Sequence, residues 1–189
     1  MGSSKYVSRG GDKLAGVLKH IDFPFKNKIV LDIGASHGGF TQVALLRGAS
    51  LVYAVDVGYG LLDYKLRNLK QVDIRERVNA RNMDKSCFEP LPQVALVDVS
   101  FISLRKVLPV VFNIVSERIL ALVKPQFEAT YRETSRGAGV IKDLNIQKRV
   151  IEEIKKEVKD DRWEFIGTYP SKLKGRKGNQ EYFIYYERI

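Results

Sequence analysis

Short β-branched runs alternate along this chain with segments of helical periodicity, and that alternation narrows the architecture before any single residue is considered. Residues 28–33 form such a run ending at Gly34, followed by a helix-compatible stretch, 40–47, closed by Gly48. Residues 51–56 read as a second strand, 61–69 as a helix, 71–78 as a weak strand, and 93–98 as a strong strand ending in an acid. A helix over 104–113 precedes a strand at 118–123, which Lys124-Pro125 stops. Residues 143–159 make a long charged helix whose Ile146, Val150, Ile151, Ile154 and Val158 share one face. Two final strands, 163–169 and 180–186, flank a basic, glycine-rich hairpin loop at 170–178. The pattern predicts an α/β fold with a doubly wound, mostly parallel sheet and helices on both faces.

At 189 residues the chain can bury one sizeable core and is too short for two fused enzymes. Lys and Arg number 32 against 22 Asp and Glu, and the formal charge of +10 points to a polyanion such as RNA, DNA or anionic lipid. A merely solvated basic surface is the ordinary alternative. The single Cys87 has no disulfide partner, and neither His20 nor His37 pairs with it at metal-ligand spacing. No metal site is therefore expected, and a reducing cytoplasm fits. The longest apolar stretches, 107–115 and 119–123, are too short and too interrupted to span a bilayer, so no membrane partner is expected. Residues 1–5 read as a tag remnant or linker ahead of one domain at 6–189.

Asp32-Ile-Gly-Ala-Ser-His-Gly-Gly39 joins the first strand to the first helix, where glycines let the backbone approach a small polar ligand. A nicotinamide fingerprint needs Gly where Ser36 stands, so the loop favours S-adenosylmethionine over NAD. That cofactor has no pyrophosphate; it carries an ammonium and a sulfonium, which a carboxylate such as Asp32 favours. Asp56 ends the second strand, where its two oxygens could accept both ribose hydroxyls. The expected cofactor residues are Asp32, Gly34, Ala35, Ser36, Gly38, Gly39, Phe40, Asp56 and Val57. Asn79 and Ala80 are placed at the adenine and Asp98 near the methionine moiety. A purely structural glycine turn with two strand-end acids is the alternative.

Several blocks then resemble one family. They are Tyr6-Val-Ser-Arg-Gly-Gly-Asp-Lys-Leu14, the glycine loop through Thr41, Val55-Asp-Val-Gly-Tyr-Gly60, Asp98-Val-Ser-Phe-Ile-Ser-Leu104 and Leu122-Val-Lys-Pro-Gln-Phe-Glu128. Together they are similar to the TlyA family of haemolysin-named, FtsJ-like rRNA 2′-O-methyltransferases. The resemblance implies a Rossmann-like class I methyltransferase with a seven-stranded sheet whose last strand is antiparallel. It also implies S-adenosylmethionine as cofactor, ribosomal RNA or ribosomal subunits as partner, and an S4-type RNA-binding domain in the full-length chain. The second half of the loop at 128–139 departs from the family pattern.

Methylation of a ribose 2′-oxygen needs a weakly acidic hydroxyl held in line with the methyl donor and relieved of its proton. The FtsJ-like group uses a Lys-Asp-Lys-Glu tetrad for this, which motif matching places at Lys13, Asp98, Lys124 and Glu181. By that analogy Lys124 orients and deprotonates the hydroxyl, Asp98 and Glu181 position it, and Lys13 is a second cation. If the last strand is antiparallel, Glu181 starts at the edge where Lys124 ends its own strand and can reach it. Arg9, Lys172, Lys174, Arg176 and Lys177 are the expected RNA-binding residues, and Tyr6, Phe101, Phe127 and Tyr182 candidates to stack a base. Two other readings compete: a membrane-active haemolysin, and a cofactor- or RNA-binding module without turnover.

Overall fold

Five parallel strands form most of the sheet in a computed structural model that describes residues 5–189. They are β1 (Ile29–Ile33), β2 (Leu51–Val55), β3 (Val72–Arg75), β4 (Val94–Val97) and β5 (Arg118–Val123). The hairpin strands β6 (Trp163–Pro170) and β7 (Tyr182–Arg188) complete a seven-stranded sheet of order β3-β2-β1-β4-β5-β7-β6. Only β7 runs against the others, antiparallel to both β5 and β6. The expected doubly wound architecture with an antiparallel last strand is the one observed. Residues 1–4 of the tag-like start lie outside the described residues.

The strands are apolar on both faces because both faces are covered. On one, Leu31, Tyr53, Val97 and Ile119 join a core with residues of α4 (Leu108–Ile114) and α7 (Leu144–Glu157). On the other, Val30, Val52, Leu96 and Leu120 pack with α1 (Arg9–Val17) and α2 (Gly39–Leu46). The long charged helix forms as its periodicity predicts: Asp143 caps it by accepting from the Asn145 amide, and Val150, Ile151 and Ile154 are buried.

Three local expectations change. The helix expected at 61–69 shrinks to α3 (Tyr64–Arg67), because Asp63 accepts from the Lys65 amide and starts it late. The stretch at 104–113 breaks into a tight turn, Leu104–Lys106, and α4, whose Pro109 lacks the N–H that a continuous helix would need. The segment after β5 contains α5 (Pro125–Glu128) and α6 (Tyr131–Arg136), neither visible as an apolar pattern. A reciprocal cap holds α6, Thr130 and Glu133 each satisfying the other's backbone amide.

Phe183 on β7 is fully buried and stacks on Phe40 of α2 at 6.1 Å between centroids, tying the reversed strand to the opposite layer. Phe183→Ala is expected to lower stability by about 3–5 kcal/mol in urea titration. Tyr131→Ala, at a side chain 86% exposed, should stay within about 0.5 kcal/mol of the parent.

Candidate active site

Parallel strands deliver the residues after their C-terminal ends to one sheet edge. There the segments following β1, β4 and β5 meet the start of α1 and the β6–β7 loop around a cavity of about 740 Å³. All four expected tetrad residues line it. They form two ion pairs: Lys13 Nζ lies 2.5 Å from Glu181 Oε2, and Lys124 Nζ lies 2.6 Å from Asp98 Oδ1. The side chain of Glu181 is 3% exposed and that of Lys13 is 11% exposed. Glu181 therefore holds Lys13 and not Lys124, which corrects the expected pairing. The reason is geometric: Lys13 projects from α1 onto the rim above β7, while Asp98 and Lys124 directly follow the ends of the adjacent strands β4 and β5. Lys124 also donates to Ser100 Oγ at 2.8 Å, a partner the sequence reading did not name although it stands two residues beyond Asp98.

Close backbone approach explains why glycine occupies particular places. Gly34 has φ +83, and a Cβ there would sit 2.4 Å from the Asp98 carbonyl oxygen, far inside contact distance. Without a side chain the β1 and β4 loops touch, and Asp98 stands beside the glycine loop. Gly175 in the β6–β7 loop plays the same part for Glu181, whose Oε1 would be 2.5 Å from an added Cβ.

The glycine loop keeps its amides to itself. Gly34 and Ala35 donate to the Val55 carbonyl, Ser36 to Asp56 and Gly38 to the Ala35 carbonyl. A loop so paired offers few free N–H groups to a pyrophosphate. Gly34, Ala35, Ser36, Gly39 and Phe40 line the cavity as expected. Gly38 does not; its φ is +89 and its missing Cβ makes room for Leu62 and Leu66. Asp56 spends one oxygen on the Ser36 amide and the other on the Gly58 amide, so ribose hydroxyls would have to use its remaining lone pairs. Val57 is exposed, Asn79 caps the turn at Ala80–Asn82, and Ala80 belongs to the core, all three outside this cavity.

Asp32, expected at the cofactor, is sealed beneath the loop and does not line the cavity. It is fully buried, its Oδ2 accepts from Thr41 Oγ1 at 2.6 Å, and its Oδ1 has no hydrogen-bond partner. Burial pushes its pKa up to about 7, the Asp98 and Asp56 charges adding to the effect and the Thr41 hydrogen bond opposing it.

Glu128, which closes one of the family-like blocks without an expected role there, joins the two motifs that carry the Lys124–Asp98 pair. Buried at the end of α5, it accepts from Ser103 Oγ at 2.6 Å and from the Leu104 amide at 2.8 Å. Burial raises its pKa against those two hydrogen bonds. On the rim above, Phe101 is 89% exposed at φ +63 and rests on Phe127, ring centroids 4.9 Å apart. A bulky residue in the left-handed region is uncommon, and here it stands beside the lysine pair. Among the expected RNA-binding residues, Arg9, Arg176 and Lys177 line the cavity; Lys174 lines a neighbouring one, and Lys172 neither.

A family model described as FtsJ-like methyltransferase matches residues 6–188. The chain belongs to the FtsJ-like methyltransferase family. It is 40% identical over 185 residues to Hemolysin A of Brachyspira hyodysenteriae, spanning 96% of this chain and 77% of that protein. It is also 40% identical over 182 residues to the 16S/23S rRNA (cytidine-2'-O)-methyltransferase TlyA of Mycobacterium tuberculosis, spanning 95% and 68%. A hemolysin-named structure from Streptococcus thermophilus superposes with TM-score 0.94 at 39% identity, over 100% of this chain and 69% of that one. The family is thus shared by relatives with enzymatic and haemolytic names. Among the described residues no helix is long and apolar enough to cross a membrane.

The buried acid gives this FtsJ-like domain a distinctive pH response. The folded state keeps a proton on Asp32 that the unfolded chain releases above its ordinary 3.8, so stability should fall as pH rises from there through about 7. Unfolding free energies from urea titrations across that range are expected to decline for the parent, by about a few kcal/mol in all, and to be flatter for Asp32→Asn.

Proposed function

We propose that this domain transfers a methyl group from S-adenosylmethionine to a ribose 2′-hydroxyl of ribosomal RNA. The observation that carries the reading is the convergence of two lysine–carboxylate pairs on one cavity beside a glycine loop whose amides are already paired. The residues present suit a cofactor without a pyrophosphate. The cavity is bordered by Asp98 and Glu181, and the loop residues Gly34, Ala35, Ser36, Gly39 and Phe40 would hold the ligand along the wall. What the bound cofactor supplies is an electrophilic methyl on a sulfonium.

The chain's own residues do the rest. Asp98 and Ser100 fix the Lys124 amine from two sides, so its remaining capacity points at a substrate hydroxyl. Once its own ammonium proton has passed to solvent, Lys124 Nζ orients that hydroxyl and receives the hydroxyl proton as the oxygen attacks the methyl group. Glu181 holds Lys13 at the opposite wall as a second cation, for the substrate's phosphate or polarised oxygen. Exposed Phe101, resting on half-buried Phe127, offers an aromatic face to a base lifted out of its stack. Arg9, Arg176 and Lys177 place positive charge on the rim where the backbone of that nucleotide would pass. The TlyA relative acts, by its name, on cytidine 2′-oxygens of 16S and 23S rRNA, and the proposal takes the same substrate class for this chain. An S4-type RNA-binding module is part of the proposal as the element that recruits ribosomal RNA, in the cytoplasm.

Purified protein with labelled S-adenosylmethionine and ribosomal subunits tests the reading, the product identified by nuclease digestion as a 2′-O-methyl nucleoside. Lys124→Ala is expected to lower kcat by roughly 10²–10⁴ while calorimetry still shows cofactor binding. Full turnover by that variant would overturn the assignment; cofactor binding with no turnover by the parent on any subunit would leave a binding module.

A further inference from the structure

A second cavity, of about 710 Å³, opens beside the first between the 137–144 segment and the β6–β7 loop. A thin wall of backbone divides the two, with Gly139 and Asn179 on the lysine-pair side and Val140, Gly178 and Gln180 on the other. The wall is braced from within. Asn179, 2% exposed, accepts from the Ile141 amide through Oδ1 and donates to the Gly139 carbonyl through Nδ2, each at 2.8 Å. Lys177 borders both cavities.

The chemistry of the second cavity is that of a nucleotide site. Lys142, Lys174 and Lys177 line it, all exposed, and among the described residues none of the three is ion-paired to a carboxylate. Val140, Leu144, Pro170 and Tyr182 give it an apolar wall. The polar groups at its floor are already satisfied: Gln147 donates to the Ile141 carbonyl at 2.7 Å and accepts from the Tyr182 hydroxyl at 2.5 Å. Apolar lining with unpaired cations at the edge suits a flat base with a phosphate beside it, and a metal cation poorly.

Resting on the methyltransferase reading, we propose that this cavity holds the nucleotide adjacent to the one methylated. The phosphate joining the two lies at Lys177, with Lys142 and Lys174 about the outer one, and the neighbouring base packs against Val140, Leu144 and Tyr182. Single-stranded RNA is therefore the form bound here, because a paired neighbour could not enter.

The test uses a fluorescently labelled oligocytidylate of about eight nucleotides and measures its affinity for the whole chain across a salt series. Lys142→Ala and Lys174→Ala are expected to weaken binding and to lower the slope of log affinity against log salt by up to about 0.7 each. Leu144→Ser, which removes part of the apolar wall without changing charge, should weaken binding with the slope unchanged. Parent-like affinity and slope in all three variants would overturn the proposal, as would failure of the parent to bind the oligomer. Methyl transfer is read separately on ribosomal subunits with the parent. If the parent methylates no RNA but the variants still bind more weakly, the catalytic reading fails and the groove stands. If methylation proceeds and the variants bind normally, the groove alone fails.

Discussion

Across the β5–β7 ladder Val123 faces Tyr182, and the site hangs on that antiparallel register. Because β7 runs against its neighbours, the residue before its start lies at the same rim as the residue after the end of β5. Glu181 and Lys124 are thereby brought to one edge although their strands run in opposite directions. A parallel β7 would start at the far edge of the sheet and carry Glu181 away from both lysines. The full burial of Phe183 and its stacking on Phe40 lock the register against slippage, since a one-residue shift would turn that ring to the other face.

Two shared devices set the spacing around this frame. Glycines at 34 and 175 let backbone and carboxylate approach where any side chain would collide, which brings Asp98 against the cofactor loop and the hairpin loop against Glu181. Buried polar side chains then brace the loops from behind: Asp32 and Thr41 under the glycine loop, Glu128 under the Asp98 motif, Asn179 between the two cavities. The rim is left with exposed Arg and Lys side chains, while the two acids nearest the chemistry are already paired. A positive rim around two paired amines suits the polyanionic substrate proposed above.

The strand–helix alternation, the strand ends at Asp98 and Val123, and the amphipathic α7 were legible in the sequence because each depends on local periodicity and on breakers such as Pro125. The blocks around Lys13, Asp98, Lys124 and Glu181 were likewise legible as motifs, and all four residues line the cavity. Less of the cofactor assignment carried over. Asp32 and Gly38 face inward, and Asp56 is engaged by two amides, because a residue's place in a motif does not say which way the folded backbone turns it. Ser100 and Glu128 sit in family-like blocks, and Asn179 in none, but the partners of all three were illegible because they lie 24 to 40 residues away in the chain.

By itself the amino-acid order determined the layers and the rim of the sheet, since hydrophobic period and turn chemistry act over a few residues; the grouping of the lysines and acids came from the family resemblance. Only the tertiary structure decided who pairs with whom. Partnership between Lys13 and Glu181, separated by 168 residues, depends on α1 crossing above β7, and the second cavity exists because two distant loops are pinned by one buried amide. Such contacts are set by packing of whole layers, which no local pattern encodes.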